Sequence, residues 1–154
     1  MTQIPQITDT NAFMEKFLLL IDAGETLSLP VLGNSMSPFL VHRRDTVYLK
    51  KPDRPLKAGD IVLYRRKNGS YILHRIHSVK NGRFTMVGDA HTVLEPDIEE
   101  HPIRAIAVRA CRKGVIEIPG SFWWEFFARI WIRSVPLRPG LRRIYGTCSK
   151  LMRR

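Results

Sequence analysis

Apolar side chains near the start of the chain recur with the spacing of an α-helix. Over residues 10–24 they return every three or four positions, and Thr10 or Asn11 stands where a helix cap is favoured. Gly24 ends the pattern. The apolar stripe contains Phe13, Phe17, Leu20 and Ile21. This pattern predicts an amphipathic helix that packs against the rest of the protein.

The spacing then changes to the alternation that is typical of β-strands. Leu27, Leu29 and Val31 fall on one side of the first such segment, and Pro30 favours an edge position because proline cannot donate to a sheet. Strands are predicted over residues 27–32, 45–51, 61–66, 71–79, 83–87, 103–112 and 115–119.

Turn signals connect several of these strands directly. Asn68-Gly69 and Asn81-Gly82 are pairs that favour tight hairpins, so three consecutive strands are predicted to form an antiparallel meander. Lys113-Gly114 joins the last two strands, and residues 88–102 are predicted to be a long loop. The fold class expected is mostly β, a small antiparallel domain with an N-terminal helix.

Composition divides the chain into three parts. We expect an N-terminal helical segment over residues 1–26, a β-rich domain over 27–119 and a basic aromatic tail, helical in form, over 120–154. The tail begins with "SFWWEFFARIWI", which contains all three tryptophans, and no acidic residue follows Glu125. Eight arginines and lysines follow instead, so much of the excess positive charge lies in the last quarter of the chain.

Charge and cysteine content narrow the range of functions. The formal net charge of +11 indicates attraction to an anionic partner, whether a lipid surface, a nucleic acid or an acidic protein. Two cysteines are too few for a disulfide framework, and no spacing of cysteine and histidine indicates zinc, so neither metal nor cofactor is expected. The N-terminus lacks the pattern of a signal peptide, and "FLLLI" (17–21) is too short to span a bilayer. These features predict a cytoplasmic protein, with peripheral contact at a membrane as an option.

Candidate chemistry begins in the stretch "VLGNSMSPFL", residues 31–40. Two hydroxyls, Ser35 and Ser37, lie in a turn that starts with glycine and ends with proline. Such a turn is either a surface bend or a rigid mount for a nucleophile, and a nucleophilic serine needs a neighbouring base. In "YILHRIHSV" (71–79), strand alternation puts His74 on the same face as two isoleucines, which predicts a histidine that burial keeps neutral. A core histidine with a structural partner fits the same pattern.

A catalytic histidine also needs a group that orients it. The predicted loop 88–102 offers five carboxylates, although a cluster of this kind is usually a solvated face. They are Asp89, Glu95, Asp97, Glu99 and Glu100. Because the loop follows the strand that is hairpinned to the strand of His74, one of them can reach back to it.

Four blocks in this order resemble type I signal peptidases of the endoplasmic-reticulum and archaeal kind, which share a β-rich superfamily with LexA-type self-cleaving repressors. The blocks are "GNSMSPFL" (33–40), "GDIVLYRR" (59–66), "ILHRI" (72–76) and "VGDAHTVLEPD" (87–97). The resemblance implies a serine endopeptidase that cuts a precursor peptide or protein after small side chains. It implies Ser35 as nucleophile, His74 as general base, and Asp97 as third member with Asp89 as the next choice.

The resemblance also implies where the substrate lies. An edge strand can pair with an extended peptide, and the backbone N–H groups of the serine turn can hold the oxyanion. The substrate-binding residues expected are Leu29, Val31, Gly33, Asn34 and Met36. Two features differ from the pattern of these relatives. Residues 88–91 read "GDAH", where the relatives usually have an asparagine as the last residue. A membrane anchor before the serine, which signal peptidases carry, is expected to be missing here.

The tail allows three interpretations. It is an interfacial anchor on anionic lipid, or a helix that packs on the β domain or a second subunit; a nucleic-acid contact fits less well, because no such module is recognisable. The alternative to an enzyme is a non-catalytic peptide-binding or assembly domain of the same fold. Oligomeric state is not indicated by the sequence.

Overall fold

A computed structural model describes residues 10–141 as one antiparallel sheet, preceded by a helix and followed by a helical segment. Helix α1 spans Thr10–Asp22. The strands are β1 Leu27–Pro30, β2 Thr46–Lys50, β3 Ile61–Arg65, β4 Tyr71–Lys80, β5 Arg83–Val87, β6 Glu95–Ile98, β7 Ile103–Arg112 and β8 Val115–Glu117. The C-terminal helical segment consists of α2 Phe122–Glu125, the π-helical turn Phe126–Ile130 and the 3₁₀-helix Trp131–Leu137.

The order of strands confirms the predicted mostly-β fold. The strands lie in the order β1-β2-β7-β3-β4-β5-β6, with β8 paired to β7, and β1 is at an edge as Pro30 predicted. Strands β3, β4 and β5 form the expected meander. Asn81 and Gly82 have φ values of 49° and 71°, the left-handed conformations that a two-residue hairpin requires.

The prediction of a strandless loop over residues 88–102 is wrong, because β6 lies within it and pairs with β5. Its sequence, EPDI, contains two acids and a proline and shows no apolar alternation, so no local pattern indicates a strand. An edge strand tolerates such residues, since the backbone groups along its outer edge are not hydrogen-bonded to a neighbouring strand. This strand positions Glu95.

Two clusters of apolar side chains form the core on the two faces of the sheet. On one face, helix α1 packs together with strands β2 and β3 and with the C-terminal helical segment, through side chains that include Phe17, Ile21, Leu63, Trp124 and Phe127. On the other face the cluster includes Val62, Tyr64, Ile76, Met86 and Ile106. The helices therefore cover one face and hold the strands that carry the candidate site.

The C-terminal helical segment has one face in the core and one face in solvent. Trp124, Phe127, Ile132 and Val135 are buried, whereas Phe122, Trp123 and Ile130 are 73%, 47% and 62% exposed. Packing on the β domain is thus part of its role, and contact with anionic lipid stays a prediction. Residues 142–154, which carry the rest of the tail's positive charge, lie outside the described residues. No helix within residues 10–141 is long and apolar enough to cross a membrane.

Candidate active site

The turn that carries Ser35 is anchored from below by buried side chains. Met36, Phe39 and Leu40 are at most 2% exposed, and they place the backbone between them over the core. Within the turn, the Ser37 amide donates to the Asn34 carbonyl (3.1 Å). The Leu40 amide likewise donates to the Met36 carbonyl (2.9 Å). This anchoring fixes the backbone of the turn, and with it the Cα–Cβ bond of Ser35.

The two serines of the turn have different surroundings. The Ser37 hydroxyl lies 3.5 Å from the Leu40 carbonyl, which turns it toward its own backbone. Ser35 is half-buried and lines a cavity, and its carbonyl accepts a hydrogen bond from the amide of Ala90 (2.9 Å). Of the two, only Ser35 lines this cavity.

His74 lies on β4 with 1% of its surface exposed, on the apolar face that strand alternation predicted. Burial lowers its pKa to about 4, an effect that the charge of Glu95 partly opposes. The imidazole is therefore neutral at physiological pH, as a general base must be.

Hydrogen bonding around Nδ1 determines which nitrogen of His74 carries the proton. The Tyr64 hydroxyl lies 3.4 Å from Nδ1 and donates its own proton to Glu95 Oε2 at 2.9 Å. Because that hydroxyl has no second proton to give, the proton between Tyr64 and the ring is assigned to Nδ1 from this network. Nε2 is then left with the lone pair that can accept a proton.

Gly88 packs closely against the backbone carbonyl of Ser35 and the imidazole of His74. A Cβ at this residue would lie 2.5 Å from the carbonyl oxygen of Ser35 and 3.1 Å from Nε2 of His74. It would also lie 2.9 Å from Nδ1 of His91. Only a residue without a side chain fits here, because the serine turn and the imidazole approach the same point from two sides.

Glu95 is the carboxylate beside His74. Its Oε1 lies 3.5 Å from His74 Nδ1, and Arg66 donates to both of its oxygens, with 3.0 Å between Arg66 Nε and Oε2. Burial acts to raise the pKa of Glu95, but the hydrogen bonds from Arg66 and Tyr64 outweigh it and leave the pKa lowered. The pKa of Tyr64 is raised, mainly by burial and secondly by its hydrogen bond to Glu95. Glu95 is therefore charged and Tyr64 neutral when the site is at neutral pH.

The two aspartates expected beside His74 are paired with arginines elsewhere. The Asp97 side chain is 78% exposed, with its Oδ1 3.6 Å from Arg83 Nε. Asp89 is fully buried and accepts from Nε (2.9 Å) and Nη2 (2.8 Å) of Arg75. In a regular strand Glu95 and Asp97 would share a face, but the φ of +63° at Asp97 breaks the pleat. Spacing alone could not distinguish these acids.

A cavity of about 360 Å³ adjoins Ser35 between the N-terminal helix and the sheet. Four of the five expected substrate-binding residues line it: Leu29, Val31, Gly33 and Met36. Asn34 is exposed in the turn, and the Gly33 amide is bound to Nδ1 of His42 at 2.8 Å, so that amide is already engaged. The remaining lining comes largely from apolar side chains of α1, β3 and β4.

Several residues of this site had no role in the sequence-based prediction. Tyr64 and Arg66 belong to the block "GDIVLYRR", but nothing in the pattern indicated that they would bind Glu95. His91, the unusual last residue of "GDAH", lies with its ring centroid 5.3 Å from that of His74. Within residues 10–141, no group of three or more histidine, cysteine or carboxylate side chains is arranged to hold a metal ion.

The fold and the site together indicate a mostly-β domain in which a serine turn and a buried, neutral histidine both pack against Gly88, with a carboxylate 3.5 Å from the other nitrogen of that histidine. The chain belongs to the Peptidase S24-like family, whose model matches residues 1–109. Comparisons with curated proteins and with solved structures returned no match. Membership indicates a peptidase or self-cleaving protease of this fold and serine peptidase activity in general. The more specific resemblance to signal peptidases stays a prediction.

Proposed function

We propose that this protein is a serine endopeptidase that cuts a precursor peptide or protein, with Ser35 as nucleophile and His74 as general base. Glu95 replaces the expected aspartate as the group that orients His74. The observation that carries the proposal is the convergence of the Ser35 backbone and His74 Nε2 at Gly88, with Glu95 behind Nδ1. A histidine buried only for packing would not need a charged carboxylate on one nitrogen and a serine turn at the other.

The proposed reaction follows from this arrangement. Ser35 Oγ attacks the carbonyl carbon of the substrate while its proton passes to Nε2 of His74. Glu95 stabilises the imidazolium that forms, and N–H groups of the turn donate hydrogen bonds to the oxyanion. His74 then gives its proton to the departing amine, and water attacks the acyl-enzyme by the same route in reverse.

The substrate is proposed to be an extended peptide segment in the apolar cavity beside Ser35. The free edge of β1 offers backbone groups to it, so that main-chain hydrogen bonds supply much of the affinity. The lining by Leu29, Val31 and Met36 favours apolar side chains. Small residues before the cut, as in signal peptidases, would fit the close approach to Ser35.

Digestion of a peptide library by the wild-type protein, read by mass spectrometry, tests this function. Recurrent internal cuts at one sequence pattern are expected. If folded protein produces no internal cut in a broad library, a non-catalytic peptide-binding domain becomes the better account. The peptide that is cut fastest serves as substrate for the variants below.

Glu95→Gln is expected to lower kcat by about 100-fold or more, because the imidazolium loses its charged partner and the Tyr64 hydroxyl that accepts from Nδ1 loses its own charged acceptor. The measurement is kcat and KM for the selected peptide. Asp97→Asn is the matched control on the same strand, and because Asp97 lies in solvent its kcat should stay within about twofold of wild type. A larger loss at Asp97 than at Glu95 would restore the aspartate as third member.

Activity should persist to unusually low pH. His74 acts as base only when it is neutral, and its pKa is lowered to about 4, so kcat/KM should fall as the pH drops through that value and not near 6.5. The measurement is a kcat/KM profile, with circular dichroism to confirm folding at each pH. Since the charge of Glu95 raises the pKa of His74, Glu95→Gln should move the fall of kcat/KM to still lower pH. An upward shift would contradict the assigned contact.

A further inference from the structure

We propose that Arg138 and Trp131 are positioning residues for the Ser35–His74 pair. They belong to the C-terminal end of the described chain, and we infer that they hold loop 88–91 against the serine turn. The proposal rests on the proposed function, because it concerns the geometry of that same site. Both residues lie beyond residue 109, where the match to the family model ends.

Arg138 is a buried cation that donates hydrogen bonds to three backbone carbonyls. It is 2% exposed, and its Nη1 donates to the carbonyls of Gly88 (3.0 Å) and His91 (2.6 Å). Its Nη2 donates to the carbonyl of Trp131 at 3.0 Å, and its guanidinium lies 5.1 Å from the ring centroid of Trp131. A planar guanidinium can bind several acceptors in a fixed geometry, which a flexible ammonium cannot do.

Trp131 forms a further hydrogen bond with the same loop. Its Nε1 donates to the carbonyl of Asp89 at 2.9 Å. The carbonyls of Gly88, Asp89 and His91 therefore all accept hydrogen bonds from side chains of the C-terminal end of the described chain. These are backbone contacts, so they do not depend on the side chains of the loop.

The opposite side of the loop contacts both reacting residues. The Ala90 amide donates to the Ser35 carbonyl at 2.9 Å, and a Cβ at Gly88 would lie 2.5 Å from that carbonyl oxygen and 3.1 Å from His74 Nε2. Arg75, next to His74 on β4, binds the carboxylate of Asp89. Loop 88–91 is thus the connection between the serine turn and the histidine strand, and a shift of this loop changes the separation of the two.

A purely structural role for Arg138 and Trp131 predicts different results from a positioning role. If they only stabilised the fold, conservative variants would lower thermal stability and leave the folded enzyme with normal turnover. If they position the pair, the folded variants have a lower kcat, because misplacement by about 1 Å can cost up to about 100-fold in rate. KM should change little, since the residues do not line the cavity beside Ser35.

The experiment compares Arg138→Lys and Trp131→Phe with Arg133→Lys, an exposed arginine of the same segment, as control. Turnover of the selected peptide is measured below the melting temperature of every variant, together with hydrogen exchange of the amides of residues 88–91. We expect kcat to fall by about tenfold to 100-fold in Arg138→Lys and by less in Trp131→Phe. Exchange at Ala90 should accelerate in both variants, whereas Arg133→Lys should match wild type.

Each result decides the proposal. Wild-type kcat in both folded variants, or a lower kcat without faster exchange at Ala90, overturns it. If Arg138→Lys does not fold, Trp131→Phe decides alone, because that change keeps an aromatic ring and removes a single donor. If the wild-type protein cuts no peptide, the proposed function fails separately, and unchanged exchange at Ala90 in Trp131→Phe would then overturn the positioning role.

Discussion

Ser35→Ala is expected to lower kcat for peptide cleavage by at least about 10⁴-fold, to the level that binding and the oxyanion donors alone provide. Without the hydroxyl no acyl-enzyme can form, and the proton acceptor on His74 has nothing to deprotonate. The fold should be unaffected, because Ser35 is half-buried and its carbonyl, not its hydroxyl, binds Ala90. His74→Ala should cause a loss of similar size.

Ser37→Ala is the matched control, since it removes a hydroxyl from the same turn. The Ser37 hydroxyl faces the Leu40 carbonyl, so its loss should change kcat by no more than about threefold. The measurements are kcat and KM with the selected peptide and the far-ultraviolet circular dichroism of each variant. Cleavage that survives Ser35→Ala but not Ser37→Ala would transfer the nucleophile to Ser37.

Asp89→Asn is expected to lower the free energy of unfolding by about 3 kcal/mol, because it leaves the charge of Arg75 buried without a counter-ion. Both side chains are fully buried, and two hydrogen bonds of 2.9 and 2.8 Å join them. Arg75 also donates to the Gly59 carbonyl, but this neutral acceptor does not balance the charge of the guanidinium. Urea denaturation followed by circular dichroism gives the difference.

Glu99→Gln provides the comparison for that experiment. Glu99 forms an ion pair of 2.9 Å with Arg83, but both side chains are about half exposed, so solvent screens their attraction. The expected loss is below about 1 kcal/mol. Equal effects of Asp89→Asn and Glu99→Gln would mean that Asp89 is not the buried anchor of loop 88–91.

Local patterns were enough for most of the fold. The helix at residues 10–22, the edge position of β1 and the tight turn at Asn81-Gly82 follow from periodicity, proline chemistry and left-handed backbone conformations. Each of these depends on residues close together in the chain. Strand β6 was missed because its pairing with β5 is what makes it a strand, and its own composition is that of a turn.

Some residues of the candidate site could also be predicted from local sequence, and others could not. The serine turn and His74 were recognisable because a short motif and the face of one strand indicate them. Glu95 was among five acids that spacing could not rank, and its place beside His74 depends on the break in the pleat at Asp97. Tyr64 and Arg66 come from β3 and its end, 31 and 29 positions away from Glu95 along the chain.

The succession of strands and turns, the burial of His74 and a hydroxyl in a tight bend could be inferred from the sequence, because they depend on side chains within a few positions of one another. The choice of carboxylate beside the imidazole, and the hydrogen bonds of Arg138 to the carbonyls of Gly88 and His91, become apparent only in the folded protein. Those contacts join segments many residues apart, and their geometry arises from packing of the whole sheet against the helices.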